Sequence, residues 1–115
     1  MYKQPGCRDT DATQHARAGA LDDAFLDSPH TVRLGMTEEL WSYAEIQAFR
    51  RTRNTAGTPR ELVKYVITTY GERLAVANAL FRRQGVAKLG RQSQTWAKLD
   101  GAWKVISAHV SLRDV

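Results

Sequence analysis

The chain has 115 residues with 43% hydrophobic and 25% charged residues, the make-up of one soluble globular domain. Three Trp, four Tyr and three Phe supply core material and argue against disorder, and no apolar run is long enough to span a membrane. A net charge of +5 raises nucleic acid as a partner, yet the basic residues are mostly Arg and are spread along the chain. Arg captures carboxylates as readily as phosphates, so a small anionic ligand is the better expectation, with no nucleic acid and no membrane.

The opening MYKQPGCRDTD lacks the apolar run of a secretory signal, so cytoplasmic residence is expected. A lone Cys7 can form no internal disulfide and has no ligand set beside it, so neither a structural metal nor a cofactor is expected. Residues 1–20 read as a weakly structured segment or a degenerate first helix, followed by one domain over 21–115. Leu21, Ala24 and Phe25 share the spacing of a short helix, which Asp27-Ser28-Pro29 stops.

Thr31 to Leu34 reads as a short strand closed by Gly35. Ser42 with Glu45 three residues on makes a capping box, opening a helix from Tyr43 to about Arg53 with Ile46, Phe49 and Arg50 facing inward. Residues 54–59, containing Gly57 and Pro59, form a loop. Four strands follow in LVKYVITT, RLAVANALFRR, KLGRQSQTWAKL and WKVISAHVSL, separated by turns at Gly71, Gly85 and Asp100-Gly101. The class is therefore α+β: a four-stranded antiparallel meander plus a short first strand, with helices on one face of a curved sheet.

Period-two alternation assigns faces. In GRQSQTW, Gln92, Gln94 and Trp96 share a face, where amide groups beside an indole suit recognition of a urea or amide, or equally a polar dimer interface. In the last strand the same rule groups Trp103, Val105, Ser107, His109 and Ser111, with Ile106, Ala108, Val110 and Leu112 opposite. His109 is a candidate acid or base, or a satisfied hydrogen-bond partner. Arg33 faces away from Val32 and Leu34 and is a candidate carboxylate ligand, or a surface ion-pair partner. His30 is a candidate pocket-rim residue and Trp41 a candidate pocket wall. Asp27, Ser28 and His30 sit too close in one turn to converge as a nucleophilic triad.

The order of elements is similar to that of the nuclear-transport-factor-2-like, SnoaL-like or cystatin-like cone, whose curled, barrel-like sheet wraps around a helix to leave a deep pocket. The strings DSPHTVRLG at 27–35, EIQAFRRTR at 45–53, VITTYG at 66–71, GRQSQTW at 90–96 and GAWKVISAHVSL at 101–112 together resemble the AtzH-like family, which includes the HpxZ proteins of oxalurate and purine-ring nitrogen catabolism. The resemblance spans about residues 21–112. It implies a small homodimer, paired through the sheet, that binds a carboxylated urea or amide and hydrolyses it with decarboxylation. Arg33 matches the family's first-strand arginine. The family's first-helix tyrosine has no match: residues 1–20 do not resemble that helix, and Tyr2 is the sole tyrosine before Tyr43. The residues themselves leave two further readings open: a non-catalytic or isomerase- or cyclase-type pocket protein, and a dimerising interaction module. Arg33 and His109 are the catalytic candidates, with Arg33, His30, Trp41, Gln92, Gln94 and Trp96 expected to contact substrate.

Overall fold

The computed structural model describes residues 24–52 and 60–115. Residues 1–20, with Cys7 and Tyr2, and the expected loop over 54–59 lie outside the described residues. In chain order the elements are β1 (Val32–Leu34), β2 (Glu39–Leu40), α1 (Tyr43–Arg51), β3 (Arg60–Tyr70), β4 (Leu74–Arg83), β5 (Leu89–Leu99) and β6 (Ala102–Arg113). They build one six-stranded sheet in the order β2-β1-β6-β5-β4-β3. The last four strands pair antiparallel as a meander, while β1 runs parallel to β6. The sheet is curved and mixed, and it is not closed into a barrel.

Local chemistry explains the elements. Alternating β-branched and aromatic residues make LVKYVITTY a strand. Asp100 and Gly101 both take positive φ, 50° and 81°, the pair of values a two-residue type I′ hairpin needs. Helix α1 opens at Ser42, whose side chain accepts from the Glu45 N–H at 3.2 Å, as expected of the capping box. The Glu45 carboxylate reaches one residue further back than expected, accepting from the Trp41 N–H at 2.9 Å. Of the helix expected over 20–26, residues 20–23 lie outside the described residues. At its end Phe25 forms a parallel bridge to Val105 instead.

The short β2 is not among the expected elements, for two residues show no alternation. Here the Gly35 N–H donates to the Glu38 carbonyl at 2.8 Å, turning the chain so that β2 pairs back on β1.

One face of the sheet carries the core. Phe25, Leu40, Ile46, Ile67, Trp96, Trp103 and Val105 are buried together, and Tyr43, Phe49 and Tyr65 pack against them. Ile46 is the one fully buried residue of α1, so the helix sits on this inner face. Each of these large side chains contributes about 1.5–3 kcal/mol by leaving water. Strand β4 presents Ala75, Ala77, Ala79 and Phe81 to the same face, small residues through its middle and one large ring at its end.

Strict alternation fails in β6. Thr95 pairs with Ser107, but Trp96 pairs with Val105, so Ile106 is an extra residue that bulges. The bulge switches the parity of the strand: Trp103 and Val105 share the buried face with Ala108 and Val110, while Ser107 and His109 are exposed on the other. The grouping of Trp103 and Val105 with His109 is therefore corrected.

Candidate functional site

Arg33 pairs across the sheet with the buried Leu40 and Ala108, which puts its side chain on the inner face. The same cross-strand row continues through Gln94 and Ala77 to Ile67. A second row runs from Val110 through Gln92 and Ala79 to Tyr65. Arg33, Gln92, Gln94 and Trp96 are thus brought to one face, as expected.

The Trp96 indole N–H donates to Gln94 Oε1 at 3.2 Å. An indole nitrogen can only donate, so this bond fixes which way the amide lies. It leaves the Gln94 NH2 pointing elsewhere. That nitrogen is buried and has no hydrogen-bond partner among the described residues. A buried donor without a partner costs about 1–3 kcal/mol, an expense a ligand acceptor would remove.

Gln92 is oriented the same way. Arg60 Nη1 donates to Gln92 Oε1 at 3.0 Å, and a guanidinium too can only donate. Arg60 also lies over the Phe81 ring, 4.6 Å from its centroid, with Arg83 5.9 Å from the same centroid. Burial, then the positive charges of Arg83 and Arg33, hold the Arg60 guanidinium below its ordinary value. Three arginines therefore act on one another across this face. Arg60 was missed in the sequence because nothing local sets it apart from the other scattered arginines; its placement at the start of β3 carries the signal.

Arg33 has a carboxylate partner. Its Nη1 donates to Glu38 Oε2 at 2.6 Å. Burial pushes the Glu38 carboxyl up, but bonds from the Thr37 hydroxyl and Arg33, together with the Arg33 charge, outweigh it and hold the group below its ordinary value. A Cβ at Gly35 would fall on the Glu38 carboxylate and displace it from its present position.

The other expected residues lie apart. His109 is exposed on the outer face opposite Ser93, so it does not share the face of Arg33 and the glutamines. Its assignment as an acid or base of this site is corrected, for the bulge at Ile106 turns it away. His30 is an exposed turn residue whose backbone N–H donates to Ser28 Oγ at 3.0 Å. Trp41 is 57% exposed between β2 and α1. Neither forms a described hydrogen bond to the Arg33 row.

Chemically, the inner face offers donors: guanidinium groups and oriented amide NH2 groups. Such an array holds carboxylates and carbonyl oxygens and stabilises negative charge that develops on them. No group of three or more His, Cys, Asp or Glu side chains suited to a metal ion occurs among the described residues. No helix among them is long and apolar enough to cross a membrane. An open cavity of about 610 Å³ is lined by Arg60, Leu62, Val63, Lys64 and Tyr65. Another, of about 530 Å³, lies at the hairpin tips among Glu72, Arg73, Lys98 and Asp100, away from the expected site residues.

Comparison with solved structures places this arrangement among similar chains. A Pectobacterium atrosepticum protein of unknown function is 41% identical, with a TM-score of 0.84 over 93% of this chain and 91% of that one. A cystatin-like fold protein of Burkholderia xenovorans is 31% identical, with a TM-score of 0.80 over 94% and 88% of the two chains. Nuclear transport factor 2 of Cryptosporidium parvum is only 12% identical, with a TM-score of 0.67 over 90% of each chain, a likeness of fold alone. No curated protein matches the sequence. The AtzH-like family model matches residues 8–115, beginning earlier than the motifs that carried the resemblance, and the chain belongs to the AtzH-like family.

Proposed function

We propose that the protein binds a small carboxylated urea or amide on the inner face of its sheet. Arg33 takes the carboxylate, and the Gln94 NH2 donates to the ligand's carbonyl oxygen. The observation that carries this reading is the buried, unpartnered Gln94 nitrogen in the same cross-strand row as Arg33. The Trp96 bond fixes the amide, so the donor is already oriented before a ligand arrives.

Family membership extends the reading to chemistry: decarboxylating hydrolysis of an amide bond in a ureido acid. In that reaction water adds to the carbonyl carbon, the C–N bond breaks and the leaving nitrogen takes a proton; the Gln94 NH2 would stabilise the oxyanion formed at the carbonyl while Arg33 holds the carboxylate in place. N-carbamoylglycine, a stable carboxylated urea, is the probe. Calorimetric titration should show saturable binding that is lost in Arg33→Ala and weakened in Gln94→Leu. Equal binding by the parent and both variants rejects the site.

The outer face supports a second element of the proposal, a homodimer. Val66, Asn78, Ser93 and His109 form one row of that face, and Val76, Thr95 and Ser107 the next. Among the described residues no element covers them. This uncharged centre, flanked by Lys64 and Arg91 at one end and Lys104 at the other, suits pairing with a second copy of the chain.

A further inference from the structure

Two opposite charges stand at the two margins of the outer face. Glu39 lies on β2, the strand at one edge of the sheet, and Lys64 on β3, the strand at the other. Glu39 pairs with Leu34, Leu34 with His109 and His109 with Ser93, so this cross-strand row puts Glu39 on the outer face. Lys64 reaches the same face because the bulge between Leu62 and Lys64 shifts the register and sets Lys64 in one row with Leu80 and Arg91. Glu61, the acid nearest to Lys64 in sequence, stands opposite Arg82 instead. Glu39 and Lys64 are both exposed, and neither has a hydrogen bond or ion pair among the described residues. Beside Lys64 the outer face is hollowed into an open cavity of about 310 Å³, whose lining includes Val66, Leu80 and Arg91.

These positions select one way of seating a second copy of the chain. Two such sheets meet face to face about a twofold axis. An axis along the strands, between β5 and β6, sets β2 over β3 of the second copy, β1 over β4 and β6 over β5. Glu39 then lies over Val66 of the second copy, one row from its Lys64. That row is ~7 Å along the strand, within the span of a lysine side chain. In the same arrangement His109 meets Ser93 of the second copy, an imidazole against a hydroxyl. An axis across the strands would instead lay the Lys64 row over Tyr70, Leu74, Ala97 and Lys104, a row with no acid. We infer that Glu39 of each copy pairs with Lys64 of the other, entering the hollow beside Leu80 and closing both margins of the dimer. This rests on the homodimer proposed above and deepens it by fixing its orientation. The uncharged centre supplies area, while the two symmetry-related ion pairs set the register.

The test is charge reversal in the full chain, with the dimer dissociation constant measured by sedimentation equilibrium at low ionic strength. Each of Glu39→Lys and Lys64→Glu turns two attractions into two repulsions and should weaken the dimer at least about tenfold. Net charge alone predicts otherwise: on a chain of +5, Lys64→Glu would lower self-repulsion and tighten the dimer. Mixing the two variants is decisive. In the mixed dimer each margin again holds one acid and one base, so affinity should return to within about threefold of the parent. The two residues sit at opposite edges of one chain, so only contact between copies produces that recovery. Should a reversal fail to fold, Glu39→Gln and Lys64→Met serve: each should weaken the dimer, and combining them should add nothing to either alone. A parent that sediments as a monomer rejects the homodimer itself. A dimeric parent whose affinity survives both substitutions, or a mixture no tighter than its components, overturns the Glu39–Lys64 pairing and leaves the homodimer standing.

Discussion

Arg33 and Glu38 meet at 2.6 Å across the turn that joins β1 to β2, so the arginine expected to hold a ligand already has a carboxylate on one of its nitrogens. The pair involves Nη1 alone, leaving the rest of the fork for a second acceptor. Glu38 thereby fixes the guanidinium without consuming it. Arg33→Ala should remove carboxylate binding, while Arg33→Lys should recover only part of it because the planar fork is lost. Removing Arg33 also strands a mostly covered Glu38, so a loss of about 1 kcal/mol and a few degrees in Tm is expected. Melting curves beside titrations check both halves. Undiminished binding in Arg33→Ala contradicts the role given to this residue.

Glu38 gives the fold a measurable acid sensitivity. Its carboxyl titrates below the ordinary value in the folded chain, so folding favours the ionised form. That contribution is complete above the unfolded value of about 4.3 and disappears as pH falls through the lower folded value. The pair lies near the sheet edge, and about 1 kcal/mol is its upper size. Glu38→Gln should therefore lower Tm at pH 6 and converge with the parent below about pH 4. A Tm difference that stays constant from pH 7 to pH 3 would show that the charge of Glu38 is not what matters.

The division between what could and could not be read from the sequence follows from how strands encode their faces. Strand β5 has no bulge of its own, so Gln92, Gln94 and Trp96 fall together as period-two spacing requires. Strand β6 carries one extra residue at Ile106, and a single-residue insertion reverses every assignment beyond it. His109 was misplaced for that reason alone. Strand β2 is two residues long, too short for any periodicity. Arg60 gained its meaning only from partners 32 residues away in Gln92 and across β4 in Phe81.

The outer face makes a prediction about assembly. Light scattering at micromolar concentration should report twice the chain mass, since a six-stranded sheet with no described layer on that side leaves Val66, Val76 and Ile106 only half covered. Thr95→Arg introduces a charge in the middle of the uncharged patch and should yield a folded monomer. A parent protein that runs as a monomer rejects the dimer. A Thr95→Arg protein that still runs at double mass moves the interface to another surface.

Gly90 tests the platform beneath Arg60. Phe81 is 2% exposed and lies across this glycine on the neighbouring strand, where a Cβ would approach its ring to 2.2 Å. The case differs from Gly35, where the obstructing group is the end of a flexible glutamate that can swing aside. A buried ring has no such escape and must tilt within the core. Gly90→Ala should accordingly cost about 1–3 kcal/mol, the usual penalty of overpacking. Adding Phe81→Leu frees the space, so the double variant should be more stable than Phe81→Leu and Gly90→Ala effects summed independently would allow. Denaturant unfolding of the four proteins measures this coupling directly. Strict additivity would mean that Gly90 serves β5 for some reason other than the ring.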